Sequence, residues 1–150
     1  MGRVAFAFGL MIALAALVAF ACSDGYGDDN DPGRTAPDPA LPAGAALLAE
    51  GEREIELAAG ESFGLDTVDF AGDQEIAAPG CAAYVFAYGW AVTEPDDGTL
   101  RIDSTRQNET VTVSEEPSGS DVAGCAFLEF VNAGDEDIAV QLRYQMGELR

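Results

Sequence analysis

Cys81-Ala82-Ala83-Tyr84-Val85-Phe86-Ala87-Tyr88-Gly89-Trp90-Ala91-Val92 lies inside the longest uncharged segment found after residue 21. It is rich in strand-forming residues, which suits a central β-strand with both faces covered. Even positions from Tyr84 to Trp90 are all aromatic, whereas odd positions from Ala83 to Ala91 are Ala, Val, Ala, Gly and Ala. A strand turns alternate side chains to opposite faces, so one face is bulky and the other nearly flat. The bulky face has two readings. Large aromatics at alternate positions commonly pack a core. In a regular strand, however, Cys81 shares a face with Ala83, Val85 and Ala87. A disulfide from Cys81 across the core would then turn Tyr84, Phe86, Tyr88 and Trp90 outward, as a stacking platform for a glycan or small apolar ligand.

Period-two patterning continues on both sides of this stretch. Ile55 and Leu57 alternate with charged residues, Phe63 and Leu65 share a side, and Leu100 and Ile102 precede Val111 and Val113. Cys125 to Val131 resumes the alternation, and Ile138, Val140, Leu142, Tyr144 and Met146 carry it to the end. Glu94-Pro95-Asp96-Asp97-Gly98, Glu116-Pro117-Ser118-Gly119-Ser120-Asp121 and Asn132-Ala133-Gly134-Asp135 are turns by composition. Ala45 to Glu50 allows a short helical turn. The expected fold is therefore all-β: a small antiparallel β-sandwich of about seven strands, immunoglobulin-like in architecture, over residues 46–150. The immunoglobulin pattern itself is not met, because Trp90 shares a strand with Cys81 and Ala123 stands where a tyrosine corner would place Tyr.

Residues 1–21 read Met-Gly-Arg followed by an uncharged apolar run from Val4 to Ala21, which makes an export signal. The stretch Ala19-Phe20-Ala21-Cys22 resembles the lipobox of bacterial lipoproteins. That resemblance implies cleavage before Cys22 and its lipidation with a palmitate-class acyl anchor, placing the chain outside the cytoplasm on the cell envelope. Ser23 beside the cysteine resembles outer-membrane sorting signals of Gram-negative cells. Residues 22–45 carry five aspartates against Arg34, with prolines at 32, 37, 39 and 42, so they are expected to form a disordered acidic tether.

Cys81 and Cys125 remain as the pair available for a disulfide in an oxidising compartment. Closing their 44-residue separation would stabilise the fold by about 4 kcal/mol in the chain-entropy model. After loss of the leader, six arginines face 27 acids, a net charge of −21 with no lysine. Such a balance disfavours nucleic acid as a partner. The absence of histidine removes Ser-His-Asp and Cys-His catalysis and the usual zinc sites. No pattern marks a catalytic residue or a cofactor. A carboxylate hydrolase ranks last, because no acid pair stands out. Calcium is a side hypothesis: Glu94, Asp96 and Asp97 are expected to share an end of the sandwich with Glu115, Glu116 and Asp121, leaving Asp135, Glu136 and Asp137 at the other. The leading expectation is a non-enzymatic structural or protein-interaction domain held on a membrane, with an envelope protein or glycan as its partner.

Overall fold

The computed structural model describes residues 34–70 and 80–150; the leader, Cys22 and the first half of the tether lie outside the described residues. Eight strands follow one another: β1 (Ala45–Leu57), β2 (Ser62–Asp66), β3 (Tyr84–Glu94), β4 (Leu100–Arg106), β5 (Glu109–Ser114), β6 (Ser118–Ala123), β7 (Phe127–Asn132) and β8 (Ile138–Leu149). They form two four-stranded antiparallel sheets in the orders β1-β8-β3-β6 and β2-β7-β4-β5. Only β4 and β5 are neighbours both in sequence and in a sheet. This is the strand order of a jelly roll, so the sandwich architecture holds while the connectivity differs from that of an immunoglobulin domain.

Three local readings change, each for a physical reason. Ala45 to Glu50 is strand and not a helical turn: its five register pairs with β8, within the twelve of β1 as a whole, override the helix preference of Ala, Leu and Glu, and a bulge between Leu47 and Ala49 absorbs the mismatch. The segment read as a turn at residues 116–121 contains most of β6. Its inward positions are Gly119, Asp121 and Ala123, opposite Trp90, Tyr88 and Phe86 in turn. They are small because the large rings of β3 occupy the space; a Cβ on Gly119 would come within 2.8 Å of Trp90 Cζ2. Residues 36–41, expected to belong to the free tether, lie instead along the outer face of β3 and β8.

That third difference explains the flat side of β3. Val85, Ala87 and Ala91 are buried although they point away from the inter-sheet core. Residues 36–41 cover them as a strap. The Ala36 amide donates to Gln141 Oε1 at 2.7 Å, Arg143 pairs with Asp38 at 2.7 Å, and Leu41 packs over Gly147. Adding a Cβ at Gly89 would drive it into the Pro37 carbonyl oxygen. The glycine is there because another backbone passes over it.

The core lies between the sheets. Phe86, Tyr88, Trp90 and Val92 from β3 meet Leu100 and Ile102 of β4, Leu128 and Phe130 of β7, and Val140 and Leu142 of β8. Phe86, Tyr88 and Tyr144 stack, and Phe130 meets the Tyr88 ring edge-on at 6.3 Å. Fully burying side chains of this size stabilises a fold by roughly 1.5–3 kcal/mol each.

Candidate functional site

Of the two readings of the aromatic row, burial favours core packing and corrects the surface platform. Tyr84, Phe86, Tyr88 and Trp90 are all buried, so none offers a ring face to a sugar. Cys81 does not share the parity of β3 because it precedes the strand: Cys81 to Ala83 form a turn, and the disulfide to Cys125 ties that turn to the loop after β6 at the end of the sandwich, with Cα atoms 5.3 Å apart. It does not cross the core.

The carboxylates are arranged differently in part: Glu116 sits at the Glu94 end as expected, its carbonyl accepting from Trp90 Nε1, but Asp135, Glu136 and Asp137 lie at that end too. The backbone amide of Ala133 donates to Thr99, and that of Ala59 donates to Asp137. Buried Asn132 holds this pole together: its side-chain amide donates to the carbonyls of Leu57, Ala58 and Glu136 at 3.1, 3.1 and 2.7 Å, and its oxygen accepts from Gly134 at 3.0 Å. Glu61, Glu94, Glu136 and Asp137 therefore line one shallow depression of about 780 Å³. The turns carrying Glu94 and Asp135 share an end rather than occupying opposite ones. Among the described residues, no three of His, Cys, Asp or Glu converge as metal ligands.

Asp121 belongs elsewhere, in a groove that the sequence did not mark. β5 ends one sheet and β6 ends the other, so the sandwich is open along their flank. The register places Val111 beside Ser104 and Glu109 beside Arg106, on the inner face of β5, while β6 presents Asp121 and Ala123. The side chains on β6 are too short to cover the valines opposite. Val111 remains 59% exposed and Val113 37% exposed, although both belong to the side of β5 that turns toward the other sheet. Val113 is the extra residue of a bulge opposite Ile102 and Asp103. The groove encloses about 280 Å³.

The Tyr88 hydroxyl lies at the groove's floor. Its ring is core, but the hydroxyl is buried with no hydrogen-bond partner among the described residues. The Asp121 carboxylate lies close enough to act on it, although no hydrogen bond of normal geometry joins the two. Burial first, and then the negative charge of Asp121, hold the phenol protonated well above the ordinary tyrosine range, while Arg106 pulls the other way. An unpaired buried hydroxyl costs roughly 1–3 kcal/mol. Arg106 forms no ion pair among the described residues, whereas Arg101 and Arg143 both do. The groove thus combines an apolar wall, an unsatisfied hydroxyl, the Ser104 hydroxyl, one guanidinium and two carboxylates. Of the residues singled out in the sequence, Tyr88 contributes here through its hydroxyl and not through its ring face, and Asp121 through its carboxylate but apart from the turn acids it was grouped with.

No protein-family model matches the chain, and no curated protein does. Among solved structures it is similar to the crystal structure of FLHE, with a TM-score of 0.37 and 15% identity over 69% of this chain and 99% of that one. It is also similar to Bacillus endospore appendages, described as a family of disulfide-linked pili, with a TM-score of 0.36 and 16% identity over 74% of this chain and 97% of that one. Likeness at this level says nothing of function.

Proposed function

We propose that this chain is a non-catalytic protein-interaction domain displayed on the outside of a bacterial cell membrane, presenting the open β5–β6 flank to a partner. The observation that carries the reading is the exposure of Val111 and Val113 on the inner side of an end strand, above a buried hydroxyl that lacks a partner. Apolar side chains that point inward and still meet water are a surface awaiting cover. The Cys81–Cys125 bond supports an oxidising compartment. The apolar leader and Ala21-Cys22 support a lipid anchor, and the acidic residues 22–33 supply a spacer between anchor and domain.

Two measurements test the two halves of this reading. Radiolabelled palmitate should enter the wild-type chain and not Cys22→Ser, which should leave the membrane fraction; equal labelling of both would refute the anchor. Val111→Lys should fold normally and lose partner binding in cross-linking on whole cells. Unchanged cross-links would remove the flank from the function.

A further inference from the structure

Resting on that reading, we infer that the occupant of the flank is an extended, neutral-to-basic polypeptide segment of another protein. It adds as a strand to the free edge of β5 and lowers one amide- or hydroxyl-bearing side chain onto Tyr88. Two observations lead there independently: the state of the sheet edges and the chemistry of the groove floor.

The four end strands are not equally guarded. β1 is bulged between Leu47 and Ala49 and carries Glu50, Glu52, Arg53, Glu54 and Glu56; β2 spans five residues. β6 turns Asp121 inward. These are common ways of stopping an edge from pairing with another chain. β5, six residues long, is bulged at Val113 but has one charge, at Glu109, and ahead of the bulge Thr110-Val111-Thr112 is a run of high strand propensity with its outer backbone edge unpaired. Its outward hydroxyls are already engaged, Thr110 with Thr105 and Thr112 with Asp103, both at 2.7 Å. What β5 leaves unused is its backbone edge and its inner valines. An added strand, about 4.8 Å from β5, would extend the sheet across the flank and cover both.

The floor selects the side chain. Tyr88 and Ser104 offer hydroxyls and Arg106 offers donors, while Asp121 and Glu109 accept. A carboxylate would meet Asp121 and Glu109, and a purely apolar side chain would leave the Tyr88 hydroxyl unpaired. An amide or hydroxyl can both give and receive. Charge decides the source of the strand. The chain carries a net −20, so a second copy would bring like charge to the flank, whereas a neutral or basic segment would not.

The test uses the mature chain with its disulfide intact and three blocked peptides. The first is Lys-Thr-Val-Gln-Val-Thr-Lys; the second has proline in place of both valines, and the third has glutamate in place of both lysines. The first should bind saturably, with amide shifts confined to β5, β6 and Tyr88. The proline peptide, unable to complete the ladder, should not bind, and the glutamate peptide should bind at least roughly tenfold more weakly. Val111→Lys should abolish binding. Tyr88→Phe, which keeps the ring, should weaken binding roughly five- to tenfold. Failure of all three peptides to bind, or shifts confined to the acidic turns around Asn132, would overturn the inference. A concentration-dependent dimer that Val111→Lys disperses would also overturn it, while leaving the flank as an interaction surface. If Val111→Lys alters neither peptide binding nor self-association, the proposed function falls as well.

Discussion

The outer face of β3 and the inner face of β5 pose the same problem and receive opposite treatments. Each is a strand surface that the rest of the sandwich leaves uncovered. On β3 the side chains are Val85, Ala87, Gly89 and Ala91, and the chain covers them with its own residues 36–41. On β5 they are Val111 and Val113, and the described residues cover them only in part. A proline-rich segment suits the first surface because it is flat, and proline lowers the cost of holding an extended conformation. Single apolar side chains such as Leu47, Phe127 and Leu149 also stay exposed, but the contrast lies in whole strand faces: the chain closes that of β3 with its own residues and leaves that of β5 open. The open flank is then the place to look for a partner.

Perturbations should separate the two regions. The largest effect belongs to the element that touches both: the Cys81–Cys125 bond joins the start of β3 to the loop leaving β6. The double variant Cys81→Ser, Cys125→Ser should lose about 4 kcal/mol of stability, read from urea unfolding, because 44 residues of chain are released in the unfolded state. Next comes the covered face. Gly89→Val places a side chain where the Pro37 carbonyl passes, and should cost about 1–3 kcal/mol while opening residues 36–41 to proteolysis. A midpoint unchanged by Gly89→Val would mean that the strap contributes nothing to the fold.

Alkaline pH acts on the rings beneath both regions. The Tyr84 hydroxyl donates to the Thr67 carbonyl, and burial, followed by the charge of Asp66, raises its pKa to about 12 from an ordinary 10.0. Tyr88 shifts the same way. In the unfolded chain these phenols lose their protons near pH 10, while in the fold they keep them, so unfolding is increasingly favoured above that pH. Stability should hold below about pH 10 and decline toward pH 12. Tyr84→Phe should make the decline shallower; an equal slope would show that Tyr84 is not responsible.

The open flank should give the smallest changes in stability. Tyr88→Phe removes a buried hydroxyl that has no partner, so it should be neutral or stabilising by up to about 1 kcal/mol, despite lying at the centre of the core. Val111→Lys should stay within about 0.5 kcal/mol of wild type. Loss of more than about 2 kcal/mol in either variant would show that the flank is closed by contacts the described residues do not reveal.

The sequence exposes this contrast unevenly. A bulky row opposite a flat row in residues 83–91 is enough to mark a central strand covered on both sides, and the alternation from Ile138 to Met146 marks its neighbour. Residues 34–44 are written in the composition of a linker, and nothing local says that Asp38 will meet Arg143 across more than a hundred positions. β6 is obscure for a related reason. Its inward residues are small because Phe86, Tyr88 and Trp90 fill the space, so its pattern depends on another strand's side chains and shows no period of its own. Val111 and Val113 have the alternation of a half-buried strand. Only the shortness of the side chains on β6 leaves them bare, and that is a property of sheet order, which joins strands far apart in sequence. The groove was therefore illegible, although Tyr88 had been noticed for its ring.

The most direct test of the contrast is solvent contact at the valine methyls of the mature chain, measured by NMR with a neutral gadolinium chelate. Val111 and Val113 should broaden strongly, while Val92 in the core and Val85 on the face bordered by the strap should be spared. If Val111 and Val113 are protected to the same degree as Val85, the flank is already covered and the central claim is wrong.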